Sequence, residues 1–215
     1  SSDLMTEQQK QAIRVDLQLI AEMVEPGSRL LDVGCGDGAL LDYLNHDKQV
    51  DGRGIELSAE GVNACVSAGL SVIQGDADQD LDDYPDQAFD YVVLGQTLQA
   101  TREPDNVLAN LVRIGKYAIV SFPNFGYWRV RMGLLLDGRM PRTSTLSYEW
   151  YDTPNIHFCT ILDFVDLCTS LGINITRGLS LNRDGKTKDI TPGFGSGMRS
   201  VNLLGEQAVF LLRKT

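Results

Sequence analysis

The chain has 215 residues, 43% of them hydrophobic and 22% charged, with no low-complexity tract, which suits one domain over residues 1–215 with a sizeable core and excludes a disordered chain. Its net charge of −10 weighs against a nucleic-acid backbone as the main partner. No apolar run approaches the ~20 residues that cross a bilayer and no secretory pattern opens the chain, so neither a membrane nor export is expected.

In chain order, Ile13, Leu17, Ile20 and Val24 fall at helical spacing and predict an amphipathic helix over residues 5–24, ended by Pro26-Gly27. Arg29 to Val33 reads as a buried strand. It runs into Asp32-Val33-Gly34-Cys35-Gly36-Asp37-Gly38, a turn through three glycines, and then into a helix over Gly38 to His46. Strand, glycine loop and helix in that order mark a site where backbone approaches a ligand closely, because glycine has no Cβ to block contact. Val50 to Leu57 is a second strand, Ala59 to Ala68 a helix capped by Gly69, and Ser71 to Gln74 a short third strand. An acid-rich connection, Asp76 to Asp86, leads to a fourth strand over Phe89 to Leu94. Pro104 opens the next helix, and Tyr117 to Phe122 is a fifth strand.

Past Asn124 the pattern loosens. Residues 124–157, rich in Arg, Tyr and Trp, read as a helical and loop insert over the carboxyl edge of the sheet. Ile161 to Leu171 is a helix closed by Gly172, Ile173 to Leu179 and Ala208 to Leu212 are late strands, and Asn182 to Gly197 is a polar, glycine-rich surface loop. Regular βα alternation implies a mainly parallel, doubly wound sheet with helices on both faces and a ligand outside the carboxyl ends of the strands.

The glycine loop admits two cofactors and one bland reading. Gly34, Gly36 and Ala39 fit the dinucleotide spacing, which would suit NAD, and the glycines might equally serve only a tight turn; Asp32-x-Gly34-x-Gly36-x-Gly38 resembles the first motif of class I S-adenosylmethionine (SAM)-dependent methyltransferases. The acid favours SAM. A pyrophosphate would meet a further negative charge there, whereas SAM presents an ammonium and a sulfonium. On this reading Asp32, Gly34, Cys35, Gly36 and Gly38 face the amino-acid end. Glu56, beside Leu57 at the second strand's end, accepts both ribose hydroxyls. Asp76 and the Ala77 N–H read adenine from the third strand, and Gly95 and Gln96 flank the sulfur and methyl. Glu56 would serve NAD as well. Each acid singly also fits a helix cap or a solvated run such as Asp76, Asp78, Asp80, Asp82 and Asp83; three acids on three consecutive strand ends fit a site.

Catalytic residues are not legible. His157, Tyr151 and Tyr127 are weak candidates for a proton acceptor near the mouth, His157 because histidine exchanges protons near neutrality; a histidine bonded to a loop and packing aromatics are the simpler readings. The four cysteines, Cys35, Cys65, Cys159 and Cys168, form no C-x-x-C and share no metal-like spacing with the two histidines. Free thiols in a reducing cytoplasm and no bound metal are expected. Charge is uneven: residues 1–100 hold 5 Lys/Arg against 19 Asp/Glu, and residues 101–215 hold 14 against 10. Arg129, Arg131, Arg139 and Arg142 crowd one segment with Trp128. The segment is either a solvated face or a docking surface for an acidic partner or an anionic small molecule.

The later strings are more distinctive. Phe122-Pro123-Asn124-Phe125-Gly126-Tyr127-Trp128-Arg129-Val130-Arg131, Gly138-Arg139-Met140-Pro141 and Trp150-Tyr151-Asp152-Thr153-Pro154-Asn155-Ile156-His157, with Arg14-Val15-Asp16-Leu17 and Pro26-Gly27-Ser28-Arg29, strongly resemble the bacterial methionine biosynthesis protein MetW family. The resemblance implies a seven-stranded class I methyltransferase sheet with an antiparallel last strand. It also implies SAM or S-adenosyl-L-homocysteine as cofactor, a cytoplasmic role in methionine formation, and homoserine O-acyltransferase as a partner. It does not imply methyl transfer, so a regulator of the partner and a small-molecule methyltransferase both stand as readings. Leu98-Gln99 occupies the place where the wider superfamily often carries Leu-His.

Overall fold

A computed structural model describes residues 14–143, 145–191 and 197–215. Strands whose residues are mostly apolar need cover on both faces, and the central parallel strands over Arg29–Val33, Phe89–Gly95 and Gly115–Pro123 receive it. Strand β1 (Arg29–Val33) lies beside β2 (Asp51–Glu56), which lies beside β3 (Ser71–Gln74). On the other side of β1 come β4 (Phe89–Gly95) and β5 (Gly115–Pro123), all parallel. The sheet continues through β8 (Gln207–Lys214), antiparallel to β5, then β6 (Ile173–Leu181) and the short β7 (Thr187–Asp189). The order β3-β2-β1-β4-β5-β8-β6-β7 reverses direction between β1 and β4, which leaves a crevice at their carboxyl ends.

Helices α1 (Val15–Met23) and α2 (Ala39–Lys48) help cover one face, where Ile20, Leu41, Leu44 and Val209 are wholly buried. Helices α4 (Pro104–Ile114) and α6 (Ile161–Ser170) cover the other, around Phe122, Phe164 and Phe210, whose rings lie 4.8 to 6.0 Å apart. Each such ring pair contributes roughly 0.5–1.5 kcal/mol beyond its buried area. Helix α3 (Ala59–Ser67) starts at Ser58, whose hydroxyl accepts the Gly61 N–H at 3.1 Å. Thr160 and Asp163 form a reciprocal cap on α6.

The insert contains helix α5 (Trp128–Asp137), ended by Gly138 in the left-handed region. Beyond it, among the described residues, only Leu146 is buried before the chain returns to α6, packed with Tyr127 and Val130. Two side-chain amides anchor the insert. Asn124 Oδ1 accepts the N–H of Gly126 (2.9 Å) and of Ile161 (3.2 Å), and Asn202 Oδ1 accepts Ile161 N–H at 3.0 Å. The Asn124 amide in turn donates to the carbonyls of Asn202 and Gly205, both at 2.8 Å.

Among the described residues the sheet has eight strands where seven are expected. The loop expected over Asn182 to Gly197 contains β7, paired to β6 through Leu181 and Thr187, and is followed by helix α7 (Met198–Leu204). Polar, exposed Thr187–Asp189 carries no apolar alternation, so only the hairpin with β6 makes it a strand. Residues 5–13 of the expected first helix lie outside the described residues. No helix among the described residues is long and apolar enough to cross a membrane.

Candidate cofactor site

Strand β1 delivers Asp32 and the glycine loop to the crevice. Gly34 donates its N–H to Ile55 O at 2.8 Å and stands against Thr97 of the loop after β4, and Gly38 is the left-handed cap from which α2 starts. Gly36 is the exposed crest. Its φ is +58°, and a Cβ built there would meet nothing within 4 Å. The positive φ explains the glycine, and the open space is where a ligand can touch backbone. Beneath the loop the Cys35 and Cys65 sulfurs lie 3.9 Å apart, and the Cys65 thiol donates to Gly36 O at 3.4 Å. Burial raises the proton affinity of both thiols, and the Asp32 carboxylate raises that of Cys35 further, so they are unreactive packing groups.

The acids end three neighbouring strands in different states. Asp32 is 4% exposed, and its pKa is pushed up to about 7 by burial and secondarily by the negative charge of Glu56; Arg14 partly offsets this. Glu56 is half-buried and already organised. Its Oε2 accepts the Gly36 N–H at 2.8 Å, and its Oε1 accepts the N–H and hydroxyl of Ser58 at 2.9 and 2.8 Å. A carboxylate offers about four acceptor positions, so capacity for a further hydroxyl remains. Asp76 folds its Oδ1 onto Asp78 N–H (3.0 Å) and accepts from the Gln79 amide at Oδ2 (3.3 Å). Leu57 stands exposed beside Glu56, and Ala77 tucks against the core. Three more acids of the run have structural work: Asp78 accepts the N–H groups of Arg102 and Glu103 at the start of α4, Asp80 accepts the Asp76 N–H, and Asp82 accepts from Asn110.

Gly95 ends β4 and Gln96 follows it at φ +59°, an uncommon conformation for a residue with a side chain. Two hydrogen bonds hold it there: its N–H donates to Ser121 O at 2.8 Å and its side-chain amide to Asp16 Oδ2 at 3.1 Å. Asp16 is 2% exposed and also receives Arg14 through Nε (3.1 Å) and Nη2 (2.9 Å). Sequence reasoning did not assign Arg14 and Asp16 to the site, although their string was among those carrying the family resemblance. Gly61 was missed as well. A Cβ on it would lie 2.8 Å from both Gly36 O and Glu56 Cγ, so its absence lets α3 approach the glycine loop.

The remaining candidates lie elsewhere. His157 donates its backbone N–H to Gln99 O, and its Nε2 is 3.2 Å from Arg102 O. Tyr127 is buried in the insert's own small core, and Tyr151 is exposed, edge-on to Trp150. Among the described residues none of the three hydrogen-bonds to Asp32, Gly95 or Gln96. In the arginine segment, Arg129 lies 5.3 Å from the Trp128 ring centre, Arg131 is bound to Gly126 O at 2.6 Å, and Arg142 pairs with Glu149. Arg139 lines two clefts beside this segment. One, of about 710 Å³, includes Phe125, Trp150 and Phe158; the other, of about 770 Å³, gathers Arg129, Arg142 and Arg183. Neither is lined by the strand tips. No cluster of three or more metal-ligating side chains occurs among the described residues.

The sequence model of the family described as "Methionine biosynthesis protein MetW" matches residues 14–212. The bifunctional methionine biosynthesis protein MetXA/MetW of Rhodopirellula baltica is 36% identical over 172 residues, which is 76% of this chain and 28% of that protein. The chain therefore spans little more than a quarter of that relative. Among solved structures, a SAM-dependent methyltransferase of Thermotoga maritima superposes with a TM-score of 0.65 at 18% identity, covering 94% of this chain and 88% of that one. The SpnF cyclase superposes with a TM-score of 0.62 at 20% identity, covering 92% and 80%. The fold is that of the class I methyltransferases.

Proposed function

The chain belongs to the MetW family of methionine biosynthesis proteins, and from that membership we propose that it is a cytoplasmic SAM-binding protein that acts with, and supports, a homoserine O-acyltransferase. The observation that carries the cofactor reading is the buried Asp32 carboxylate beside the open crest at Gly36. A buried acid without a paired cation holds its proton too tightly, and a cationic ligand relieves that condition. SAM supplies such a cation, an ammonium and a sulfonium joined to adenosine, and its bound sulfonium provides an electrophilic methyl.

The chain's own groups fit that guest in sequence around the rim. Asp32 takes the ammonium directly or through water, Glu56 the two ribose hydroxyls, and Asp76 with the Ala77 N–H the adenine edge. Gly34, Cys35, Gly36 and Gly38 supply close backbone, Leu57 an apolar flank, and Gly95 and Gln96 the wall beside the sulfur. S-adenosyl-L-homocysteine lacks the sulfonium charge but keeps the ammonium, ribose and adenine that these groups address, so it fits the same rim. We assign Trp128, Arg129, Arg131, Arg139 and Arg142 to the partner-facing side, with Arg129 and Arg139 as the contacts and Arg131 and Arg142 shaping the segment. The fused MetXA/MetW relative supports this partnership, since fusion keeps two cooperating functions together.

A second reading is methyl transfer to a small molecule. The cleft of about 710 Å³ beyond the end of β5 is of small-molecule size, but its lining does not include the strand tips, so methyl transfer needs an acceptor that reaches past it to Gly95 and Gln96. The fold does not decide between them, because a fold hosts many functions and one structural neighbour is named a cyclase. Titrating SAM and S-adenosyl-L-homocysteine, with and without the acyltransferase, tests the main reading. Binding that shifts with the partner supports a supporting role; methyl release into small-metabolite extracts supports the second.

A further inference from the structure

We propose that Arg14 is the receptor for the cofactor's α-carboxylate, forming with Asp32 a pair of opposite charges that reads the amino-acid end of the ligand as a zwitterion. This rests on the SAM site proposed above.

Arg14 immediately precedes α1, and Asp16 in the first turn of that helix binds Gln96 at the end of β4. Since β1 and β4 are neighbours, paired through Val33 and Leu94, that bond fixes Arg14 over the crevice where the strand order reverses. The guanidinium is held by Asp16 along its Nε–Nη2 edge. Its Nη1–Nη2 end has no protein acceptor among the described residues, and the side chain is 54% exposed. A planar fork with one edge fixed and the other open is preorganised for a second carboxylate, because little side-chain freedom is left to lose.

Charge makes the same assignment. The amino-acid end of the cofactor carries a carboxylate as well as an ammonium, and a rim holding only Asp32, Glu56 and Asp76 would repel it. Of the other described basic residues in the first hundred positions, Arg29 is engaged by Asp90 and Lys48 by the carbonyls of Ala21 and Val24, while Arg53 lies within β2 rather than at its tip. Arg14 is near enough to Asp32 to lower its proton affinity. Among the described residues of the acid-rich half, it is the cation presented to this crevice.

The test compares SAM with decarboxylated SAM, which keeps the adenosine, the sulfonium and the amine but lacks the carboxylate, by calorimetry on wild type, Arg14→Gln and Arg14→Lys. Wild type is expected to prefer SAM by about tenfold or more, the range of a charge-assisted hydrogen bond. Arg14→Gln should lose about that factor for SAM and nothing for the decarboxylated compound, so that the preference collapses; Arg14→Lys should restore part of it. Equal weakening of both ligands by Arg14→Gln would assign Arg14 a structural role and overturn the proposal, as would an unchanged preference. Failure of wild type to bind either compound removes the SAM site itself, and the inference with it.

Discussion

Glu56 Oε2 accepts the Gly36 N–H at 2.8 Å, joining the end of the second strand to the crest of the glycine loop. The acid proposed to hold the ribose thus also sets the shape of the glycine loop. Glu56→Ala is expected to weaken SAM binding by at least about tenfold, the scale of losing charge-assisted hydrogen bonds. It should also speed amide exchange at Gly36, read by hydrogen exchange. Full affinity in this variant and in Asp32→Ala would remove the pocket assignment.

Asp32 sets a pH dependence whose sign follows from its burial. Its pKa is about 7 in the folded chain, against about 3.9 for an unperturbed aspartate. Between those values the folded state binds more protons than the unfolded one, so stability without ligand falls as pH rises from about 4 to 7. Asp32→Asn flattens that slope in thermal melts, with a rise of about 2–4 °C per kcal/mol recovered near pH 7.5. A bound cation favours the carboxylate. SAM should therefore bind more tightly as pH rises from 5.5 to 7.5 and release a proton as it binds, measured by calorimetry in buffers of different ionisation enthalpy. A flat affinity profile in wild type would contradict the placement of the charge.

Gly61 is expected to be intolerant of even a methyl group. Gly61→Ala drives a Cβ onto Gly36 O and Glu56 Cγ, each 2.8 Å away, and should destabilise the fold by about 1–3 kcal/mol while weakening SAM binding. Gly133→Ala in α5 is the control. Its Cβ would meet only Pro141 at 3.8 Å, so helix propensity should leave stability unchanged or raise it by up to about 1 kcal/mol. Urea unfolding of the two variants reads the contrast.

Arg129→Ala with Arg139→Ala is expected to weaken copurification with homoserine O-acyltransferase, with a smaller difference from wild type at high salt, while SAM affinity is retained. Arg131→Ala should behave differently, loosening the insert through the loss of its bond to Gly126 O rather than acting through charge. Unchanged association in the double variant would move the interface elsewhere on the molecule.

Much of the framework is readable before folding, because buried parallel strands advertise themselves as apolar runs and their ends as the first polar residue. That logic sets Asp32 and Glu56 at the tips of β1 and β2, with Asp76 just past β3. It reaches Gln96 at the end of β4 but not its bond to Asp16, because the two lie 80 positions apart and meet only once the sheet is assembled. Gly61 gave no signal either: within a helix its lack of a side chain looks like a weakness until the glycine loop is packed against it. Thr187–Asp189 is a strand by pairing alone. Residue type and place in the chain mark the catalytic candidates, and neither gives a side chain's direction; the His157 ring turns to a backbone carbonyl.

The excursion between β5 and α6 leaves and re-enters the domain through one neck. Asn124 and Asn202 grip Gly126 at the exit and Ile161 at the return, and Phe125 donates its N–H to Cys159 O across the gap. A segment stapled at its base can be lengthened, shortened or given new side chains while the sheet beneath keeps its register. The arginine-rich segment is thus a replaceable cassette, free to change in length and charge without disturbing the strand tips on which the glycine loop stands.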